Sequence, residues 1–249
     1  MKTRYSKMLL AGAAVVLTQA ALAEDKPDVL GGTIGGSVKF ATDYVFRGES
    51  ETVNGEIPAV QASLTWTHAS GVYLGYFGST NKFKGSPDIS AVVGPYLGKY
   101  GSIGDTGLNY NVMAFAYQYP GASRYNYSEL YMYLDRNFGP VNLKLEVTPT
   151  LNDWFGVDGW KGVNYAIHPK VALGDGWGLD GSFGYQRLTG RGAEGWRHWN
   201  VGVTKSMWGL NFDLRYHDTD IDSSHKVYGS HDGREIFKQR YVFAVSKSF

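Results

Sequence analysis

The chain has 249 residues, a formal net charge of +1 and no cysteine. Without thiols there is no disulfide framework, thiolate metal site or cysteine nucleophile, and the near-neutral balance gives no electrostatic ground for a nucleic-acid partner. Its 33 glycines, 18 tyrosines and 7 tryptophans outweigh 8 prolines, an all-β composition where no helix-length amphipathic segment is found.

The first residues carry an export signal. Met1 to Lys7 is basic, Met8 to Leu17 (MLLAGAAVVL) is apolar, and Ala21-Leu22-Ala23 fits a small-x-small cleavage site, the pattern of a secretory signal peptide. An uncleaved anchor is the weaker reading, because the apolar run is shorter than the roughly 20 residues that span a bilayer. Residues 1–23 are expected to be removed, leaving 24–249 as one domain. Charges, Gly or Asn interrupt every later apolar run. That excludes a helical membrane protein and leaves a periplasmic domain, a secreted one or an outer-membrane β-barrel.

From Ile34 onward, apolar and polar residues alternate. Val141, Leu143, Leu145 and Val147 interleave with Asn142, Lys144, Glu146 and Thr148, and Leu210, Phe212, Leu214 and Tyr216 with Asn211, Asp213, Arg215 and His217. Such period-two runs are strands with one apolar and one polar face. About twelve segments follow on this basis, starting near Ile34, Ala59, Val72, Asp88, Gly107, Tyr125, Val141, Val163, Leu179, Trp196, Leu210 and Ile236. Pro95 interrupts the fourth, and both faces of the fifth carry bulk. Short turns follow the second, sixth and tenth segments, and long polar loops follow the first, seventh and eleventh. Short turns at one end, long loops at the other and an even strand number form the outer-membrane pattern.

A soluble β-sandwich also alternates, with its apolar face to a core instead of lipid. Tryptophan placement favours the barrel. Trp66, Trp177 and Trp208 fall near the short-turn end, and Trp154, Trp160, Trp196 and Trp199 near the long-loop end, as two interfacial belts would require. The expected fold is an antiparallel up-and-down transmembrane β-barrel of about twelve strands.

The stretch Thr42-Asp-Tyr-Val-Phe-Arg-Gly48, then Pro58-Ala-Val-Gln61 and His68-Ala-Ser-Gly-Val-Tyr-Leu-Gly75, resembles the TorF-type porins, a proteobacterial family of outer-membrane barrels. Tyr119-Pro-Gly121, Asp218-Thr-Asp-Ile221 and Ser246-Lys-Ser-Phe249 extend the likeness over the chain in order. The resemblance implies an outer-membrane porin and brings no catalytic site or defined substrate. Glu49 and Glu51 depart from it, standing where the family tends to have an apolar residue and an amide.

Polar faces turned inward would give a wet lining of Lys39, Asp43 and Arg47 on the first strand and Glu129 on the sixth. Lys144 and Glu146 would follow on the seventh, His168 and Lys170 on the eighth, Asp213 and Arg215 on the eleventh, and Lys238 and Arg240 on the twelfth. Cations in lipid would cost about 2–4 kcal/mol each at midplane, so the interior is their place. Closure of the first strand on the last would set Lys39, Asp43 and Arg47 beside Lys238 and Arg240. That strip reads either as a bias toward anionic or zwitterionic solutes or as an ion network bracing the wall. Tyr117, Tyr119, Tyr127, Tyr131 and Tyr133 form an inward aromatic track, or else fill the lumen or the lipid belt.

Other chemistry is thin. Asp218, Asp220 and Asp222 have the spacing of a calcium loop, but Ser223 replaces its glycine and Gly229 its bidentate glutamate, leaving at most weak Ca²⁺ binding. Ser230-His231-Asp232 are consecutive, and a catalytic triad is assembled by geometry from separated positions. No cofactor motif occurs. The ending YVFAVSKSF reads as a last lipid-facing strand, with Phe249 as the aromatic signal for the barrel-assembly machinery. The expected function is passive diffusion of small hydrophilic solutes through a narrow lumen in the outer membrane of a Gram-negative bacterium. The alternatives are an outer-membrane hydrolase with a rim site, or a structural barrel without an open pore.

Overall fold

Alternation along each strand decides this architecture. The computed structural model describes residues 29–83, 86 and 88–249; the expected signal peptide, 1–23, lies outside them. Twelve strands close into one antiparallel barrel: β1 (Gly32–Ala41), β4 (Ala59–His68), β5 (Val72–Thr80), β6 (Ala91–Ser102), β7 (Leu108–Tyr117), β8 (Tyr127–Phe138), β9 (Val141–Pro149), β10 (Lys161–Gly174), β11 (Trp177–Thr189), β12 (Trp196–Met207), β13 (Leu210–Thr219) and β14 (Arg240–Ser248). Each pairs with its sequence neighbours, and β1 closes on β14. A minimal hairpin, β2 (Val45–Phe46) with β3 (Glu49–Ser50), lies between β1 and β4. Among the described residues one α-helix, α1 (His231–Phe237), precedes β14.

The apolar sets face outward. Phe40, Leu64, Leu74, Leu97, Leu145, Phe183, Val201, Leu214 and Phe243 are all exposed, a girdle that suits hydrocarbon and leaves every strand hydrogen-bonded on both edges. Pro95 points outward as well, at a gap in the β6–β7 ladder between Val93↔Gln118 and Tyr96↔Phe115, where its missing donor is tolerated. Two expectations change. The last strand starts at Arg240 and not near Ile236, because α1 occupies the preceding residues. Trp154 and Trp196 are not belt residues: at 2% and 1% exposure they lie inside. Trp177 and Trp208 are exposed near the short-turn end.

The β1–β14 seam ends on a ring contact. The amides of Gly36 and Phe249 exchange hydrogen bonds of 3.0 Å, and the Phe249 ring covers the space above Gly36. A Cβ there would lie 2.7 Å from the ring and 2.8 Å from the Ser63 carbonyl. Gly36→Val should therefore lift the ring off the seam. It and deletion of Phe249 should each lower the yield of heat-modifiable barrel, and the double variant should be little worse than the poorer single one, since both act on one contact. Normal assembly of Gly36→Val would show that the contact is dispensable.

Candidate functional site in the plugged lumen

Residues 42–58 do not arch over the rim after β1. They turn inward, and every residue from 43 to 53 is buried. The turn explains why. Arg47 and Gly48 join β2 to β3 with φ of 50° and 86°, the two-residue, positive-φ geometry that matches strand twist. A Cβ on Gly48 would meet the Thr219 methyl at 2.2 Å, so only glycine serves there. Arg47 accepts an unfavourable backbone that costs roughly 1–2 kcal/mol. In exchange its side chain is delivered to the centre of the barrel.

There the guanidinium meets Glu129 of β8 in a bidentate pair, Nη1 to Oε1 at 2.7 Å and Nη2 to Oε2 at 3.0 Å. Nη1 also donates to Gln186 of β11 at 2.9 Å. Glu129 is 0% exposed and accepts a further bond from the Tyr131 hydroxyl at 2.8 Å; Tyr131 in turn bonds Tyr117. The cation lies 4.5 Å from the Phe46 ring centroid and 5.6 Å from that of Trp154, and Trp196 donates to the Arg47 carbonyl at 2.9 Å. A band of rings packs round the pair: Phe115–Tyr117, Tyr117–Tyr127, Tyr127–Trp154 and Trp196–Phe237 are 4.3 to 5.3 Å apart. The tyrosine track expected on β7 and β8 is thus lumen filling in the long-loop half.

A second anchor ties the plug to the seam. Arg240 Nη1 donates to Asp43 Oδ2 at 2.7 Å, while Ser50 and Thr52 donate to Asp43 Oδ1 at 2.8 and 2.6 Å. A third runs to the loop after β5, where Asn81 Nδ2 donates to Glu51 Oε2 at 2.7 Å. Burial pushes the Glu51 carboxyl well above its usual range, and the neighbouring Glu49 adds to this; burial likewise raises Glu49, against the pull of Arg240.

Below the plug the lining is polar. Glu146 accepts from Thr148 and Asn164 at 2.9 and 2.8 Å and lies 2.9 Å from His168. Toward the short turns, Arg215 is paired with Asp180 at 2.8 Å and Asp213 at 2.9 Å. These three side chains retain partial exposure, so water reaches this half of the lumen. Lys144 is buried with its ammonium 4.7 Å from the Tyr133 centroid. Lys39 and Lys170 are half-buried, and Lys170 is opposite Asp180 in the β10–β11 register.

The expected cationic strip at the seam does not form. Asp43 and Arg47 lie beyond β1, in the plug. Arg47 reaches across to Glu129, and Lys238 is exposed just after α1, paired with Glu235. Asp43 with Arg240 is the part of it that the seam brings together. In the acidic loop each carboxylate has a protein partner: Asp218 accepts from the Tyr216 hydroxyl, Asp220 from Arg197, and Asp222 from Ser224. Ser230 accepts from the Gly233 amide as the N-cap of α1, which commits it to helix capping. Residues missed from sequence were Gln186, Asn81, Trp154 and Trp196. Only Gln186, on the polar face of a predicted strand, carried a readable signal.

The comparisons with known proteins bear on this geometry. The chain belongs to a family described as bacterial protein of unknown function (Gcw_chp), whose model matches residues 28–249. No curated protein sequence matches it. Among solved structures it is similar to the KdgM porin in complex with disordered oligogalacturonate, with a TM-score of 0.55 and 10% identity over 87% of this chain and 98% of that one. It is also similar to LpxR from Salmonella typhimurium, with a TM-score of 0.49 and 8% identity over 86% and 99%. At such identities the first likeness establishes the fold, that of an outer-membrane barrel, and the second carries no argument.

Removing one member of a buried ion pair strands the other, at about 3–5 kcal/mol, whereas replacing both with apolar groups is far milder. Glu129→Ala should therefore release the plug, seen as rapid chymotryptic cleavage at Tyr44 or Phe46 in the folded barrel. Arg47→Met with Glu129→Leu should remain resistant for much longer. Equal resistance of Glu129→Ala and the parent would show that the pair does not hold the plug.

Proposed function

We propose that this chain is an outer-membrane, porin-like channel for passive diffusion of small hydrophilic solutes, with a narrow, mixed-charge lumen that the plug constricts. The observation that supports this most is the division of each strand: apolar side chains outside, and inside a lining in which Arg215, Asp180 and Asp213 stay accessible to water. A barrel that served only as a scaffold could fill its interior with apolar side chains, at no desolvation cost. Lys39, His168, Lys170, Asp213 and Arg215 line the open part of this channel, Lys144 and Glu146 lie buried in its wall, and Glu129, Asp43, Arg47 and Arg240 hold the plug that constricts it.

The mechanism is physical. Hydrated solutes cross because polar walls replace part of their hydration, and no covalent step is assigned to any residue. Paired charges make the channel weakly selective: Arg47, Arg215 and Arg240 each face a carboxylate. That pairing argues against carrying over the acidic saccharide of the KdgM complex. This reading agrees with the resemblance to the TorF-type porins, with export by the leader at 1–23, with lipid as the partner of the outer face, and with recognition of Phe249 by the barrel-assembly machinery.

Planar-bilayer recording tests the proposal. The parent barrel should give small, stable current steps, and replacing residues 43–57 with a short Gly/Ser turn should enlarge them severalfold with little ion preference. Silence from both proteins, each verified as a heat-modifiable barrel, would refute a pore and favour a structural barrel.

A further inference from the structure

Where the plug meets the loop after β5, two oxygens are left without a donor. Glu51 is 2% exposed and Asn81 0%, and one hydrogen bond joins them, Asn81 Nδ2 to Glu51 Oε2. The remaining oxygen on each side chain, Glu51 Oε1 and Asn81 Oδ1, is buried with no hydrogen-bond partner among the described residues. Both are acceptors if Glu51 is a carboxylate, and each orphan would cost about 1–3 kcal/mol. A single proton on Glu51 removes both deficits at once. A carboxylic acid and a primary amide pair at two points: the acid carbonyl accepts from the amide N–H, and the acid O–H donates to the amide carbonyl. The first of these bonds is the one observed.

We propose that Glu51 is held as a neutral carboxylic acid donating to Asn81 Oδ1, and that its ionisation undocks the plug, making residues 42–58 a pH-responsive gate.

The surroundings favour that state. From the plug itself Asp43 and Glu49 face Glu51; Tyr44 also lies on the plug, Tyr119 comes from the loop after β7, and Tyr228 from the segment before α1. The nearby cations among the described residues are committed elsewhere, Arg240 to Asp43, Arg47 to Glu129, and Lys82, next to Asn81, to Glu56. An anion at Glu51 would thus stand unpaired beside two further carboxyl groups. The direction of the pH effect follows. With its pKa raised in the docked state, Glu51 binds a proton there that it loses once solvated, so docking is strongest below the ordinary glutamate value of about 4.3. It weakens as pH climbs from there through the raised value.

The inference deepens the channel reading, but its test reads the plug and not current, so the two can fail separately. Ser50→Cys places a thiol on the buried plug of a chain that has no cysteine. Its maleimide labelling is compared with that of Ser50→Cys combined with Glu51→Gln, whose amide N–H replaces the acid O–H without titrating. The ratio of the two rates cancels the titration of the thiol. It should be near one at pH 5 and rise about tenfold by pH 9, while infrared difference spectra at neutral pH show a protonated-carboxyl band in the parent that Glu51→Gln lacks. Val53→Cys is the second reporter if Ser50→Cys does not assemble. A ratio of one throughout, or no such band, would overturn the proposal. So would labelling that follows added sodium or calcium instead of pH, which would put a cation between the two oxygens.

Discussion

A guanidinium enclosed in protein must meet a carboxylate, and that requirement at Arg47 organises the long-loop half of this barrel. Glu129 lies on β8, almost opposite β1 in the strand order. A residue on β1 would have to span the lumen to reach it. The inward hairpin solves the distance by carrying Arg47 on a tight turn to the middle, at the expense of a left-handed backbone. Rings from β7, β8, β12 and α1 then close over the pair and keep water from it. The aromatic filling, the buried tryptophans and the docking of α1 all follow from this one delivery.

The barrel itself was legible because lipid imposes a strict rule. Every strand must alternate and both edges must be paired, so Val141 to Val147 and Leu210 to Tyr216 read as strands without any tertiary knowledge. The plug was not legible for the same reason. Asp43, Val45 and Arg47 continue the period-two pattern of β1, and nothing in their spacing says that the strand stops at Ala41. A hairpin between two-residue strands leaves too few positions for periodicity to register. Arg-Gly is also a weaker turn signal than Asn-Gly or Asp-Gly. Gly48 was the one available clue, and it was legible only as part of a family motif. The helix α1 escaped likewise, being seven residues long with a glycine in its first turn.

Tryptophan placement shows how a sound rule can misassign individual residues. Belts form where rings lie on outward faces at strand ends, and Trp177 and Trp208 do so. Trp154 and Trp196 are near strand ends too, but the inward plug provides a dry interior there, and it needs indole donors. The Arg47 carbonyl takes one of them. Depth along the strand was readable; face was not, because the side of the wall that excludes water depends on a loop folding in.

The plug's three anchors each join a residue of the loop to a different part of the wall: Arg47 to β8, Asp43 to β14, Glu51 to the loop after β5. Buried pairs of this kind return little more than their desolvation cost, yet breaking one strands a charge. A plug held this way is therefore intolerant of partial loosening while gaining only modest net stability from full docking. Elements with that balance have two arrangements and little between them. Apolar side chains along residues 43–53 would have sealed the lumen more firmly. The charged loop gives up that firmness, and a channel of the kind proposed would need an obstruction that can be reversed as a unit.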